Sequence, residues 1–382
     1  MKKLLRINVI NEMLILKNNI LKVGVTISLF LCMISNIIVG GESMGFLYFL
    51  DQENIRYLIY LITFLSLFFH VCLNRELIVN KCNILTFAIY ILFLFVLIGV
   101  SNNQYIDGLF RLLILFPFLF VFPICDFEIK KILSAFLYLA LLISFCSSIC
   151  NGPFFKGRFV TNSNDPNFSA IYALLGFMLS DKLKNKKTKF CYLLIGIATQ
   201  SRNFILSIIV FYVIRKLRGS MIFDAFFYKF RPLYVFVLLQ FFVVLLGWYM
   251  LLNMDFDSQN KLADGSNKLR FMYTAEGMVY LTSGKDALLD GAGPGYWSIE
   301  KGGTGTAGTT GALHNSFLSL MVEKGVFYAL INLLVIFLIV DKNYIRENVE
   351  FIYSFLISTL FLGGVFSGVF LFFWCYILSV RK

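Results

Sequence analysis

The chain has 382 residues, of which 59% are hydrophobic and only 15% are charged, with a mean hydropathy of +0.79. Soluble domains average about 25% charged residues, so this composition excludes a soluble globular protein. The net charge of +12 predicts basic cytoplasmic loops rather than a nucleic-acid surface, because Lys and Arg collect on the cytoplasmic side of polytopic proteins. Long apolar runs favour helices over a barrel, whose strands alternate. We therefore predict an all-α polytopic membrane protein.

Apolar runs in chain order predict about nine spans in the first 252 residues. Five basic residues precede the first run and place the N-terminus in the cytoplasm. One run is interrupted at Gln200–Asn203, which predicts two short spans, although one long tilted helix is the alternative. The runs lie at about 23–39, 57–73, 84–100, 112–125, 132–150, 168–179, 190–215 and 233–252.

A long polar segment at 253–313 follows, and we predict that it forms one large periplasmic loop. Apolar runs at 317–340 and 351–380 then predict three more spans, because Gly363 and Gly364 divide the second run in two. The predicted organisation is therefore nine spans in 1–252, the loop, and spans ten to twelve in 314–382, with both termini in the cytoplasm. Most of the 34 Lys and Arg residues fall in segments that this topology places inside.

Arginine and histidine residues gather at the predicted periplasmic ends of the spans. Arg202 interrupts an apolar run, and Arg158 and Arg270 lie beside predicted turns. Guanidinium groups bind phosphate oxygens bidentately, so three of them would suit a diphosphate at the membrane surface. His314, beside Asn315 and just before the tenth span, titrates near neutral pH and can accept a proton from an attacking hydroxyl. A snorkelling Arg202 and a merely interfacial His314 are the structural alternatives.

Glycines of the predicted loop indicate backbone geometry rather than a nucleotide site. Gly291, Gly293 and Gly295 form a GxGxG pattern, but it does not follow a strand in a βαβ unit, so we predict a tight turn. The tract at 302–311 predicts a mobile lid or linker. The cysteines form no CxxC pair, and the only DxD pattern of the loop is DFD at 255–257. These patterns predict neither a disulfide framework nor a metal site.

Four motifs together resemble the O-antigen polymerase and O-antigen ligase superfamily of bacterial envelope glycosyltransferases, which are GT-C-like membrane enzymes. The resemblance covers about residues 150–340 by motif and the whole chain by topology. The last motif fits the family pattern at His314, Asn315, Gly325 and Tyr328. The motifs are GRFVTNSNDPN at 157–167, TQSRN at 199–203, the stretch from Arg270 to LLDGAGPGYW at 288–297, and HNSFLSLMVEKGVFY at 314–328.

The resemblance implies a metal-independent inverting glycosyltransferase, without a cofactor, at the periplasmic face of the bacterial inner membrane. Its donor would be an oligosaccharide on undecaprenyl diphosphate, held in the membrane lipid. For a polymerase, the acceptor is the end sugar of another lipid-linked repeat unit, and a chain-length regulator protein is a candidate partner. By resemblance, His314 would assist the acceptor hydroxyl, while Arg202 and Arg270 would hold the diphosphate leaving group.

The remaining candidates for substrate binding are Arg158, Asn315, Asp165, Asn167 and Glu323. We predict a polymerase of surface polysaccharide. The alternative is an O-antigen ligase, which transfers the lipid-linked polysaccharide to lipid A–core. A flippase for lipid-linked glycans is less favoured, because a transporter would place charges near mid-span and show paired halves. No nucleic-acid partner is expected.

Overall fold

The computed structural model describes a large part of the chain, including most of the second half. The first four predicted spans lie mostly outside the described residues, as do His314 and the glycine tract at 302–311. The described residues are 11–16, 19–20, 22–27, 30, 61–62, 64–65, 127–155, 157–161, 165–221, 223–225, 231–252, 265–292, 313, 315–362 and 368–380.

This part of the chain is mostly helical, as predicted, and one hairpin of two-residue strands interrupts the helices. We number the elements in chain order from residue 127. They are α1 (Phe127–Asn151), β1 (Phe154–Phe155), β2 (Arg158–Phe159), α2 (Pro166–Lys182), α3 (Lys186–Ala198), α4 (Arg202–Leu217), α5 (Pro232–Leu252), α6 (Gly265–Thr282), α7 (Lys285–Leu289), α8 (Ser316–Lys324), α9 (Val326–Lys342), α10 (Val349–Leu360) and α11 (Gly368–Ser379).

The chain divides into two compact units, and the first comprises Met1–Ile91, Asp107–Phe204 and Gly368–Lys382. Its central helix is α2, which is buried along most of its length and packs against α1, α3 and α11. Only three residues connect α2 to α3, so the two helices form a helical hairpin. Gly176 allows close contact there, because a Cβ atom at this position would collide with the Tyr192 ring. The core of this unit is therefore built around α2.

The second unit comprises Leu92–Ile106 and Ile205–Ser367, so α4 begins in the first unit and continues into the second. Helix α5 packs against α6, α9 and α10, and α8 packs against α6, α9 and α10. The Phe236 ring of α5 contacts Phe317 of α8 and Phe337 of α9, with centroids 6.1 and 5.4 Å away. Aromatic rings in such edge and tilted arrangements supply much of the packing energy of a core.

Two described helices are long and apolar enough to cross a membrane, at Ile129–Ile149 and Pro232–Tyr249. They coincide with the predicted spans at 132–150 and 233–252. Helices Val349–Leu360 and Phe370–Ser379 are apolar but shorter. The total of about twelve spans therefore stays a prediction.

The positions of helix breaks test the local predictions. The predicted interruption of the 190–215 run is confirmed, and it lies at Thr199–Ser201, where Gln200 has a φ of +52°. Arg202 and Asn203, which were predicted to lie in the break, begin α4. The prediction of one continuous helix at 317–340 is wrong. Gly325, with a φ of +84°, ends α8 and precedes α9. A residue with positive φ cannot continue a right-handed helix.

Part of the predicted loop at 253–313 is helical, which was not predicted. It contains α6 and α7, and α6 packs against α5 and α8. Thr274, Ala275, Gly277 and Leu281 are buried among the described side chains of α6, and Leu281 belongs to an apolar cluster with residues of the α8 segment. Helical spacing places these side chains on one face, so burial of that face stabilises the helix.

Candidate functional site

The β1–β2 hairpin positions the first group of predicted site residues. Gly157 has a φ of +77° and permits the tight turn that pairs Phe155 with Arg158. The Nε of Arg158 donates a 2.8 Å hydrogen bond to the backbone oxygen of Thr199, at the C-terminal end of α3. Its Nη2 donates a 3.2 Å hydrogen bond to Oδ1 of Asn167. One guanidinium group therefore ties the hairpin to the ends of two helices.

Asp165 begins α2 and balances part of this positive charge. Its Oδ1 accepts a 2.6 Å hydrogen bond from the backbone N–H of Asn167, and Pro166 occupies the first helical position. Both features favour a helix start, because the first N–H groups have no partner within the helix. Burial lowers the pKa of Arg158, and the negative charge of Asp165 offsets part of that shift. The DPN sequence therefore caps a helix and holds a charge beside Arg158.

Arg202 belongs to the same group. It is exposed at the first position of α4. Its charge, together with the larger effect of burial, lowers the pKa of Arg158, which means that the two guanidinium groups lie within electrostatic range. The preceding turn is held by the Ser201 N–H, which donates a 3.3 Å hydrogen bond to Oγ1 of the buried Thr199. The first unit thus brings together Arg158, Asp165, Asn167 and Arg202.

Asn315 is the best-defined predicted site residue of the second unit. Its Oδ1 accepts hydrogen bonds from the backbone N–H groups of Phe317 and Leu318, at 3.1 and 3.0 Å, and caps α8. Its Nδ2 donates a 2.6 Å hydrogen bond to Oε1 of Gln240 in α5. Asn315 is buried, as is Leu313 on the other side of His314. The chain on both sides of His314 therefore packs into the second unit.

The other predicted residues of this unit occupy helices. Arg270 lies in α6, and Glu323, which is partly exposed, lies in the last turn of α8. Tyr328, the last residue of the motif, is buried in α9. Gly291 has a φ of +71° and packs against the backbone at 323–325, and the adjacent Ala292 N–H donates a 2.8 Å hydrogen bond to the Val322 oxygen. The turn after α7 is therefore packed against the end of α8.

Two polar groups of the second unit were not predicted. Gln240 is the bonding partner of Asn315, and its only signal in the sequence is that it is a lone polar residue in the long apolar run of α5. Glu350 is fully buried and bonds to Arg215 of α4 and to Arg218, which directly follows that helix, each at 3.0 Å. Arg215 also lies over the Phe211 ring, 4.3 Å from its centroid. Glu350 gave no signal because its partners are distant in sequence.

The arrangement of the first unit suits an anionic group. Two arginines near one another carry more positive charge than the single carboxylate of Asp165 balances. The start of α4, which holds Arg202, adds the positive end of a helix dipole. Such a group can bind phosphate oxygens and stabilise a phosphate leaving group without a metal ion.

No protein-family model matches this chain, and no curated protein matches it in sequence.

Proposed function

We propose that this protein is a membrane glycosyltransferase that polymerises surface polysaccharide from repeat units carried on undecaprenyl diphosphate, at the periplasmic face of the bacterial inner membrane. The observation that carries the proposal is the group of charges formed by Arg158, Asp165 and Arg202. Burial lowers the pKa of Arg158, Asp165 opposes that shift, and the nearby charge of Arg202 adds to it. Like charges held close together favour an anion between them. A diphosphate leaving group supplies that anion.

The motif around His314 supports the chemical step of the proposal. In this mechanism His314 accepts the proton of the acceptor hydroxyl, whose oxygen attacks the anomeric carbon of the donor sugar. The bond from that carbon to the diphosphate breaks, and the arginines stabilise the negative charge that leaves. The cap of α8 supports the proposal, because the residue that directly follows His314 is held by hydrogen bonds to α8 and to Gln240 of α5.

The test compares the surface polysaccharide of several strains as a ladder on a gel. One strain lacks this gene, and the others lack the chromosomal copy but carry the wild-type or a variant gene on a plasmid. The proposal expects lipid A–core with a single repeat unit in the absence of the gene, and the same pattern for His314→Ala and Arg202→Ala. Bare core with long chains accumulating on the lipid carrier would instead identify a ligase. A full ladder in the cells without the gene would exclude both activities.

A matched control separates the arginine cluster from general loss of positive charge. Arg231 pairs with Asp341 at 2.6 Å on an exposed surface of the second unit. Arg231→Ala removes one positive charge outside the cluster and should leave the ladder intact. If Arg231→Ala and Arg202→Ala shorten the ladder equally at equal protein level, the role proposed for Arg202 is wrong.

A further inference from the structure

Helix α5 carries one polar side chain on its buried face. Phe236, Gln240 and Val243 are buried, at successive positions of the same helical face. The opposite face of α5 is apolar and exposed, with Val237, Leu238, Phe241, Phe242 and Leu245. A side-chain amide buried in this way costs free energy unless both of its polar atoms are used. Gln240 is 91% buried, since its exposed fraction is 9%.

The orientation of the Gln240 amide follows from its neighbour. Asn315 uses Oδ1 for the two backbone N–H groups that begin α8, so its Nδ2 must face Gln240. An NH₂ group can only donate, and therefore the Gln240 atom that accepts this 2.6 Å hydrogen bond is Oε1. The Nε2 of Gln240 then points away from Asn315. It is buried and has no hydrogen-bond partner within the described residues.

Buried donors without a partner are rare in folded proteins, and each calls for an explanation. The donor belongs to the residue that accepts a hydrogen bond from Asn315, and Asn315 directly follows His314 in the sequence. It is neutral, so it fits the oxygen of a sugar hydroxyl or of an acetamido carbonyl better than a phosphate, which the arginines would bind.

We propose that Gln240 is a substrate-binding residue whose Nε2 donates a hydrogen bond to a neutral oxygen atom of the bound glycan, while Asn315 fixes its orientation. This inference rests on the proposed function and adds a contact to it. A buried polar group that binds a substrate oxygen discriminates strongly against ligands that lack that oxygen. Gln240 therefore contributes to the choice of sugar.

The experiment measures binding rather than turnover. The full-length protein, purified in lipid nanodiscs, is titrated with lipid-linked repeat units extracted from cells that lack this gene. Gln240→Met removes both polar atoms of the amide while keeping a similar side-chain volume. It should raise the Kd at least about tenfold, because the glycan loses one buried hydrogen bond. Asn315→Asp keeps the cap on α8 but presents a carboxylate oxygen to Gln240 in place of an NH₂ group. The Gln240 amide would then rotate and donate its Nε2 hydrogen bond to that oxygen instead of to the glycan. This substitution should also raise the Kd.

Two controls keep the inference falsifiable. Val243→Ala opens a cavity on the same buried face of α5 and should lower the unfolding temperature with an unchanged Kd. Gln240→Glu keeps an acceptor for Asn315, which provides a second variant if Gln240→Met does not fold. Wild-type Kd values for the Gln240 variant that folds would overturn this inference alone. Failure of the wild-type protein to bind lipid-linked repeat units would instead remove the proposed function, and this contact with it.

Discussion

Gly325 and Gly291 pack with their backbones in contact. A Cβ atom on Gly325 would collide with the backbone oxygen of Leu289, and one on Gly291 would lie 2.6 Å from the Gly325 nitrogen. Both residues also have positive φ, at +84° and +71°. The contact joins two motifs, LLDGAGPGYW and HNSFLSLMVEKGVFY, that lie apart in sequence. The positions require glycine for two independent reasons.

We expect Gly325→Ala to destabilise the protein by more than about 2 kcal/mol, because a strained φ and a backbone collision add. The measurement is the unfolding temperature of the purified protein, with the amount of protein in membranes as a second readout. Gly284→Ala is the control, since a Cβ there meets open space and its backbone is extended. Equal effects of the two substitutions would refute the packing argument.

Arg158→Ala should cost about 1–2 kcal/mol of stability, because it leaves the Thr199 carbonyl and the Asn167 amide oxygen without their charged donor. It should also shorten the polysaccharide ladder, because the cluster loses half of its guanidinium charge. Arg158→Lys keeps the charge but cannot make both hydrogen bonds, so we expect an intermediate ladder. Thermal unfolding and the ladder measured on the same variants separate the two effects. A normal ladder for Arg158→Ala would remove Arg158 from the site.

Asp165→Ala should lower stability by about 1 kcal/mol through loss of the cap on α2. Asp165→Asn keeps a capping oxygen and removes only the negative charge beside Arg158. We therefore expect Asp165→Asn to unfold within a degree or two of the wild type. If both variants unfold at the same lowered temperature, the capping oxygen of Asn is not sufficient for stability, and the negative charge of Asp165 is required.

Glu350→Gln should destabilise the second unit by about 3 kcal/mol, because two arginines lose a fully buried counter-charge. This value is at the low end of the usual range, since the Arg215 and Arg218 side chains are 26% and 24% exposed. Asp341→Asn is the control. Its pair with Arg231 is exposed on both sides, so the cost should stay below about 1 kcal/mol. Chemical denaturation of the purified variants gives both values, and a cost for Glu350→Gln no larger than that for Asp341→Asn would contradict this account.

Local chemistry explains the predictions that the structure confirms. Long apolar runs at 132–150 and 233–252 specify helices because only a helix satisfies its own backbone in an apolar setting. The polar TQSRN segment specifies a break for the same local reason, and the break lies between Ala198 and Arg202. The resemblance also selected Arg158, Asp165, Asn167 and Arg202, which the first unit holds together. These four residues lie within 45 positions of one another in the sequence, on the β1–β2 hairpin and at the starts of α2 and α4.

By itself, the amino-acid sequence determined the mostly helical class, the apolar helices at 132–150 and 233–252, the break after Ala198, and the charged residues worth testing. Only the tertiary structure decided that Gly325 ends a helix, that Gln240 bonds to Asn315, and that Glu350 is buried between two arginines. The physical reason is the same in each case. The packing of Gly325, the orientation of the Gln240 amide and the burial of the Glu350 carboxylate each depend on a partner many residues away, and no local pattern records that partner.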